Sequence, residues 1–191
     1  MNPAINRVHN VTTRQRWRSR HQLRHNMLPG RWNSWLFDEN SLTKRLQQRC
    51  RGRFSVEVLS EEVCQPQANE IRRLGMGLRR WARIRQVLLL CDETPWVVAR
   101  TIIPLSTLRG PLRRLRHLKN RPLGAFLFAD PHLERSDIEV SQLPTSAPPL
   151  SLILHRFEGH EEINWGRRSL FKLNDQPVLV SEIFLETLLT N

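Results

Sequence analysis

Two runs of aliphatic and β-branched residues dominate the hydrophobic pattern. Trp81–Leu90 (WARIRQVLLL) and Trp96–Ile103 (WVVARTII) flank the turn-forming stretch Cys91–Pro95, so they read as an antiparallel hairpin. On the first strand Arg83, Arg85, Val87 and Leu89 share one face, and Ile84, Gln86, Leu88 and Leu90 the other. Gly166–Leu173 and Pro177–Leu185 read as a second hairpin, joined by Asn174-Asp175-Gln176. Phe54–Leu59 alternates as a further strand, and Ser136–Val140 as a short one. Trp35, Leu36, Leu42 and Leu46 fit one helical face, with Asp38 and Ser41 as cap residues. That predicts two short helices meeting near Asp38–Asn40. Ser106 or Thr107 caps another helix, in which Leu112, Leu115 and Leu118 recur, and Pro122–Phe128 forms a short helix or turn. Residues 60–73, 142–150 and 151–163 read as loops, with an edge strand open for Leu152–Phe157. Antiparallel strands with a few helices predict an α+β domain.

Charges inside the apolar runs change the picture. Arg100 follows WVVA, and Glu182 sits in VLVSEIFL. A buried guanidinium or carboxylate is costly unless it meets an opposite charge or a ligand. One reading is an internal Arg–Glu pair tying two strands together. The other is an anion pocket, in which an arginine grips a carboxylate and a glutamate moves a proton beside it.

Composition sets the outer limits. The 191 residues suffice for one domain. Residues 1–28 are basic and aperiodic and read as a flexible tail, leaving residues 29–191 as the domain. No window of 18 apolar residues exists, so no membrane span is expected. The first 37 residues hold seven arginines and no acid, but they lack the apolar region of a secretory signal. The net charge of +12 would suit a polyanion. No zinc-finger spacing, RNP motif or glycine–arginine repeat accompanies it, so nucleic acid is not an expected partner. Cys50, Cys64 and Cys91 show no metal-ligand spacing, and their odd, sparse count fits free thiols in a reducing, cytoplasmic compartment. P-loop, GxGxxG, GxSxG and HExxH motifs are missing.

Five segments together resemble the chorismate lyase family. They are WLFDENSLTKRLQQ (Trp35–Gln48), RQVLLLCDETPWVVARTIIPLSTLRGP (Arg85–Pro111), RPLGAFLF (Arg121–Phe128), IEV (Ile138–Val140) and WGRRSLFKLNDQPVLVSEIFL (Trp165–Leu185). In order and spacing they cover most of residues 32–186. The resemblance implies an antiparallel sheet of about six strands with flanking helices, and a site enclosed under helical flaps. It places the arginine that grips a ring carboxylate at Arg85 and the late-strand carboxylate at Glu182. It places apolar walls at Leu42 and Leu123, Leu42 standing where many members have Met. Arg85 and Glu182 are thus the implied catalytic residues, and all four the implied substrate-binding residues.

The implied activity is elimination of pyruvate from chorismate to give 4-hydroxybenzoate, the opening step of ubiquinone biosynthesis. It is implied for a monomer, with no cofactor and no metal. A 3-hydroxybenzoate product stays open. So does a non-enzymatic effector-binding domain of the same fold, which would call for an N-terminal winged helix-turn-helix that this sequence lacks. Two features depart from the family pattern: the long basic tail and an insertion over Ser141–Asn164.

Overall fold

A computed structural model describes residues 16–24, 27–147, 150 and 163–190. Among the described residues, eight strands form one antiparallel sheet. They are β1 (Arg18–Ser19), β2 (Phe54–Cys64), β3 (Ala82–Cys91), β4 (Thr94–Pro104), β5 (Glu134–Arg135), β6 (Glu139–Pro144), β7 (Ile163–Leu173) and β8 (Gln176–Phe184). Their order is β1-β6-β7-β8-β4-β3-β2, with β5 beside β7. The expected count of about six is therefore low. The two extra strands are two-residue pieces, too short to leave a periodic signal.

The helices are α1 (Gly30–Leu36), α2 (Leu42–Arg49), α3 (Ala68–Leu74), α4 (Leu123–Leu127) and α5 (Thr187–Thr190). The Ser41 hydroxyl caps α2 by accepting from the Lys44 N–H, as the cap pattern predicts. Gly110–His117 is a 3-10 helix. Its leucines recur every third residue, which suits three residues per turn better than 3.6.

Residues 60–73 are not a loop. Ser60–Cys64 prolong β2 past a register shift after Val58, and residues 68–74 form α3. β2 is an edge strand, so its outward side chains can be polar and the alternation fades. In α3 the buried Glu70 takes the place of an apolar residue, because it binds the Arg100 guanidinium at 2.8 and 3.1 Å. Arg100 thus belongs to a structural pair.

Part of the stretch read as a tail lies on the sheet. Arg18 and Ser19 pair with Val140 and Glu139, and the Arg168 guanidinium stacks 4.7 Å from the Trp17 ring. Trp17 packs on a core cluster built by β3, β4 and β8 residues such as Leu88, Val98 and Ile183. A second correction concerns the thiols. Cys50 and Cys91 form a disulfide with Cα atoms 5.6 Å apart, joining the end of α2 to the β3–β4 hairpin; Cys64 is free. Residues 41 apart in sequence gave no hint of this proximity.

One sheet face carries α1, α2 and α4. Beneath α1 and α2, Trp32, Trp35, Leu36 and Leu46 pack on Val87, Val97 and Phe184. Beneath the 3-10 helix and α4, Leu115, Leu118 and Leu127 pack on Phe171, Leu173 and Val178. The two clusters do not merge completely, and the space between them is the site described below. The edge strand open for Leu152–Phe157 lies outside the described residues. Of the expected insertion, Ser141–Pro144 complete β6, and Ile163 and Asn164 begin β7.

Candidate functional site

A cavity of about 600 Å3, its mouth included, opens between the two clusters. Its floor is one face of the sheet: Arg85, Val87 and Leu89 from β3, Ala99 and Thr101 from β4, Arg167 and Phe171 from β7, and Val180 and Glu182 from β8. Its roof is Leu42 and Thr43 at the start of α2, with Leu123, Gly124 and Leu127 of α4. The four residues picked out in the sequence, Leu42, Arg85, Leu123 and Glu182, all line it. Strand alternation explains the two charged members: every second residue of β3 and β8 faces this side.

Gly124 lets the two roof helices meet. A Cβ there would lie 3.0 Å from Thr43 Oγ1 and 3.7 Å from Ser41 Oγ. An alanine there would need Thr43 to give by a few tenths of an ångström, and a bulkier side chain would crowd the start of α2 further.

Arg85 is only 3% exposed, and its cost of burial is offset inside the protein. Nη1 donates to Glu61 Oε2 at 3.0 Å, and Nη2 donates to the Lys119 carbonyl. Glu61 also accepts from Arg83 at 2.6 Å, so one carboxylate on β2 braces two arginines of β3. Of five guanidinium N–H donors, these bonds use two. Glu61 was missed because the sequence reading ended the strand at Leu59.

Glu182 forms the internal pair of the first alternative and also lines the cavity. Its Oε2 accepts from Arg167 Nε at 2.6 Å, directly across the β7–β8 ladder. Oε1 accepts no bond among the described residues, and the side chain, 18% exposed, borders the cavity. Arg167, 1% exposed, is further held by the carbonyls of Trp35 at 2.9 Å and Asp38 at 2.6 Å. It therefore ties the cavity-lining face of the sheet to the loop between α1 and α2.

Arg135 on β5 also lines the cavity and was not singled out in the sequence. Nε donates to Ser169 Oγ at 3.0 Å, and Nη1 to the carbonyls of Asp38 and Glu39 at 3.3 and 2.7 Å. Burial lowers its pKa, and the neighbouring Arg167 charge adds to the effect. The Asp38 carboxyl, whose carbonyl joins this network, is held below its ordinary value. Burial would raise it, but bonds from Asn40 and Arg45 outweigh that. Four arginines and one acid therefore line a mostly apolar cavity, a surface that favours an anion over a neutral or cationic group. No cluster of three His, Cys, Asp or Glu suited to a metal occurs among the described residues.

The sequence profile of the chorismate lyase family matches residues 11–190. The chain belongs to the chorismate lyase family. It is therefore a lyase by descent, and the match extends into the segment that supplies β1. A Marinobacter nauticus protein named "Probable chorismate pyruvate-lyase" is 42% identical over 154 residues, covering 81% of this chain and 76% of that one. An Aromatoleum aromaticum protein of the same name is 39% identical, covering 85% and 88%. One from Methylococcus capsulatus is 36% identical, covering 82% and 96%.

Among solved structures, PhnF from Mycobacterium smegmatis superposes with a TM-score of 0.55 at 11% identity, covering 78% of this chain and 65% of that one. The C-terminal domain of the histidine utilization repressor from Pseudomonas syringae pv. tomato gives 0.51 at 13% identity, covering 71% and 93%. These likenesses concern the fold alone. Among the described residues, no helix is long and apolar enough to cross a membrane.

Proposed function

We propose that this member of the chorismate lyase family converts chorismate to 4-hydroxybenzoate and pyruvate in the cavity between α2, α4 and the sheet. The observation that carries the reading is Glu182: a carboxylate with one oxygen held by Arg167 and the other accepting no bond among the described residues, in the wall of a mostly apolar cavity that Arg85 also lines. Arg85 binds the ring carboxylate with donors left over from Glu61 and Lys119. Leu42 and Leu123 enclose the ring and keep water out.

The elimination is redox-neutral. The ring carbon bearing the hydroxyl loses its proton, the ring carbon–oxygen bond to the enolpyruvyl group breaks, and the released enolate takes up a proton at its methylene carbon to become pyruvate. Aromatisation drives the reaction. Glu182 sits by the ring oxygen and assists the proton movement. Arg167 keeps the Glu182 carboxylate in place, so it costs little to reorganise during the reaction. A flat product under two apolar helices leaves only when the roof opens, so release limits turnover.

The test is direct. Purified protein incubated with chorismate should yield equimolar pyruvate and 4-hydroxybenzoate by chromatography. A 3-hydroxybenzoate product, or no turnover, refutes the assignment. Formation of 4-hydroxybenzoate would place the protein at the head of ubiquinone biosynthesis, the pathway that consumes this acid in the family.

A further inference from the structure

Charge balance in the cavity leaves two of the four lining arginines without an acid. Arg85 pairs with Glu61, and Arg167 with Glu182. Arg121 and Arg135 join no ion pair among the described residues. Arg121 is exposed, whereas Arg135 is half-buried, with its guanidinium 5.1 Å over the Phe171 ring and hydrogen-bonded to the α1–α2 loop. Arg135 Nη2 donates to nothing among the described residues. Arg167 and Glu182 stand beside it, and the Asp38 and Glu39 charges also act on it; only Glu182 of these acids lines the cavity, so the cavity wall here presents two cations and one anion. That is the environment in which a second carboxylate is attracted and a neutral group is not.

We infer that Arg135 receives the enolpyruvyl carboxylate of the substrate, the second negative charge that the aromatic product lacks. This rests on the chorismate reading above. The placement has chemical sense: the leaving group would lie next to Glu182, on the side of the cavity opposite Arg85. The same guanidinium holds the Asp38 and Glu39 carbonyls, so filling it braces the loop that leads into α2. Once pyruvate departs, the brace loses its anion while Arg85 still holds the product. Arg135 therefore discriminates dianion from monoanion and favours a closed roof over substrate.

The experiment compares Arg135→Gln and Arg135→Lys with the wild type. KM for chorismate is read from turnover, and the affinity for 4-hydroxybenzoate from titration, which needs no turnover. Losing a charge-assisted contact should raise KM about 10- to 100-fold. The 4-hydroxybenzoate affinity should change less than about threefold, and the lysine variant should recover part of the loss. Substrate and product affinities falling together, or a KM like the wild type's, overturns the assignment. Should the glutamine variant not fold, the lysine variant decides by the same split between substrate and product. A wild-type protein that binds 4-hydroxybenzoate but does not convert chorismate refutes the proposed reaction instead, so the two failures are distinguishable.

Discussion

Glu182→Gln tests the site most sharply, because the residue is both a strand pair and a cavity wall. The change keeps the shape and leaves an amide oxygen for Arg167 Nε, but it removes the charge opposite a guanidinium that is 1% exposed. Breaking a buried pair by removing one partner costs about 3–5 kcal/mol. Here the loss is smaller. The Trp35 and Asp38 carbonyls still accept from Arg167, and the Glu182 side chain is 18% exposed. We expect about 2–3 kcal/mol, equal to a Tm lower by about 4–12 °C for a domain of this size. If Glu182 also handles the proton, kcat should fall about 100-fold or more, with 4-hydroxybenzoate affinity changed modestly. Thermal melts and chorismate kinetics on one preparation give both numbers. A variant that melts lower but turns over normally per folded molecule refutes the catalytic role and leaves only the strand pair. A variant that melts like the wild type refutes the account of Arg167.

Three further outcomes follow from the same contacts. Reducing the Cys50–Cys91 disulfide, or replacing both cysteines with serine, should lower stability by up to about 4 kcal/mol for a loop of 41 residues, seen as a reductant-dependent Tm. Asp38 has a folded pKa below its ordinary 3.8, so its pairing is fully present above that pH and is lost as the pH falls through the folded value. Asp38→Asn should flatten the acid limb of the stability curve below about pH 4 while costing no more than about 1 kcal/mol at neutral pH. Deleting residues 1–24 removes β1 and the Trp17–Arg168 stack, worth about 1–2 kcal/mol together, so Tm should drop by several degrees. An unchanged Tm would mean the segment packs without stabilising, as the tail reading expects.

The hairpins were legible because buried central strands leave long apolar runs, and β3, β4 and β8 are central. The partner of Glu182 shows how little separates a right reading from a wrong one. A three-residue turn at 174–176 would set Leu173 opposite Pro177 and bring Arg168 opposite Glu182. The turn has two residues, Asn174 and Asp175, with φ of 50° and 60°, which sets Leu173 opposite Gln176 and Arg167 opposite Glu182. Asn-Asp is a pair that tolerates such angles, so the signal was present. A slip of one residue would have turned the wrong arginine to the cavity, since Arg168 faces the other side and binds Glu139. The roles of Arg135 and Glu61 were not legible. Arg135 lies in a two-residue strand, and Glu61 lies beyond a register shift in an edge strand. The disulfide was invisible because sequence spacing says nothing about two positions brought together only by the packing of α2.

That disulfide gives α2 the mechanics of a hinged door. The helix is fastened at its C-terminal end, by Cys50 to Cys91 and by Arg49 to the Leu188 carbonyl at 3.1 Å. The opposite end carries Leu42 over the cavity. Eight residues at 1.5 Å each make a lever of about 12 Å. A tilt of about 10° about the fastened end would move Leu42 by about 2 Å and shift Cys50 hardly at all. Under the proposed reaction, such a tilt would act at the cavity mouth and not at the pivot. Leu46, midway along the helix, would move about half as far as Leu42.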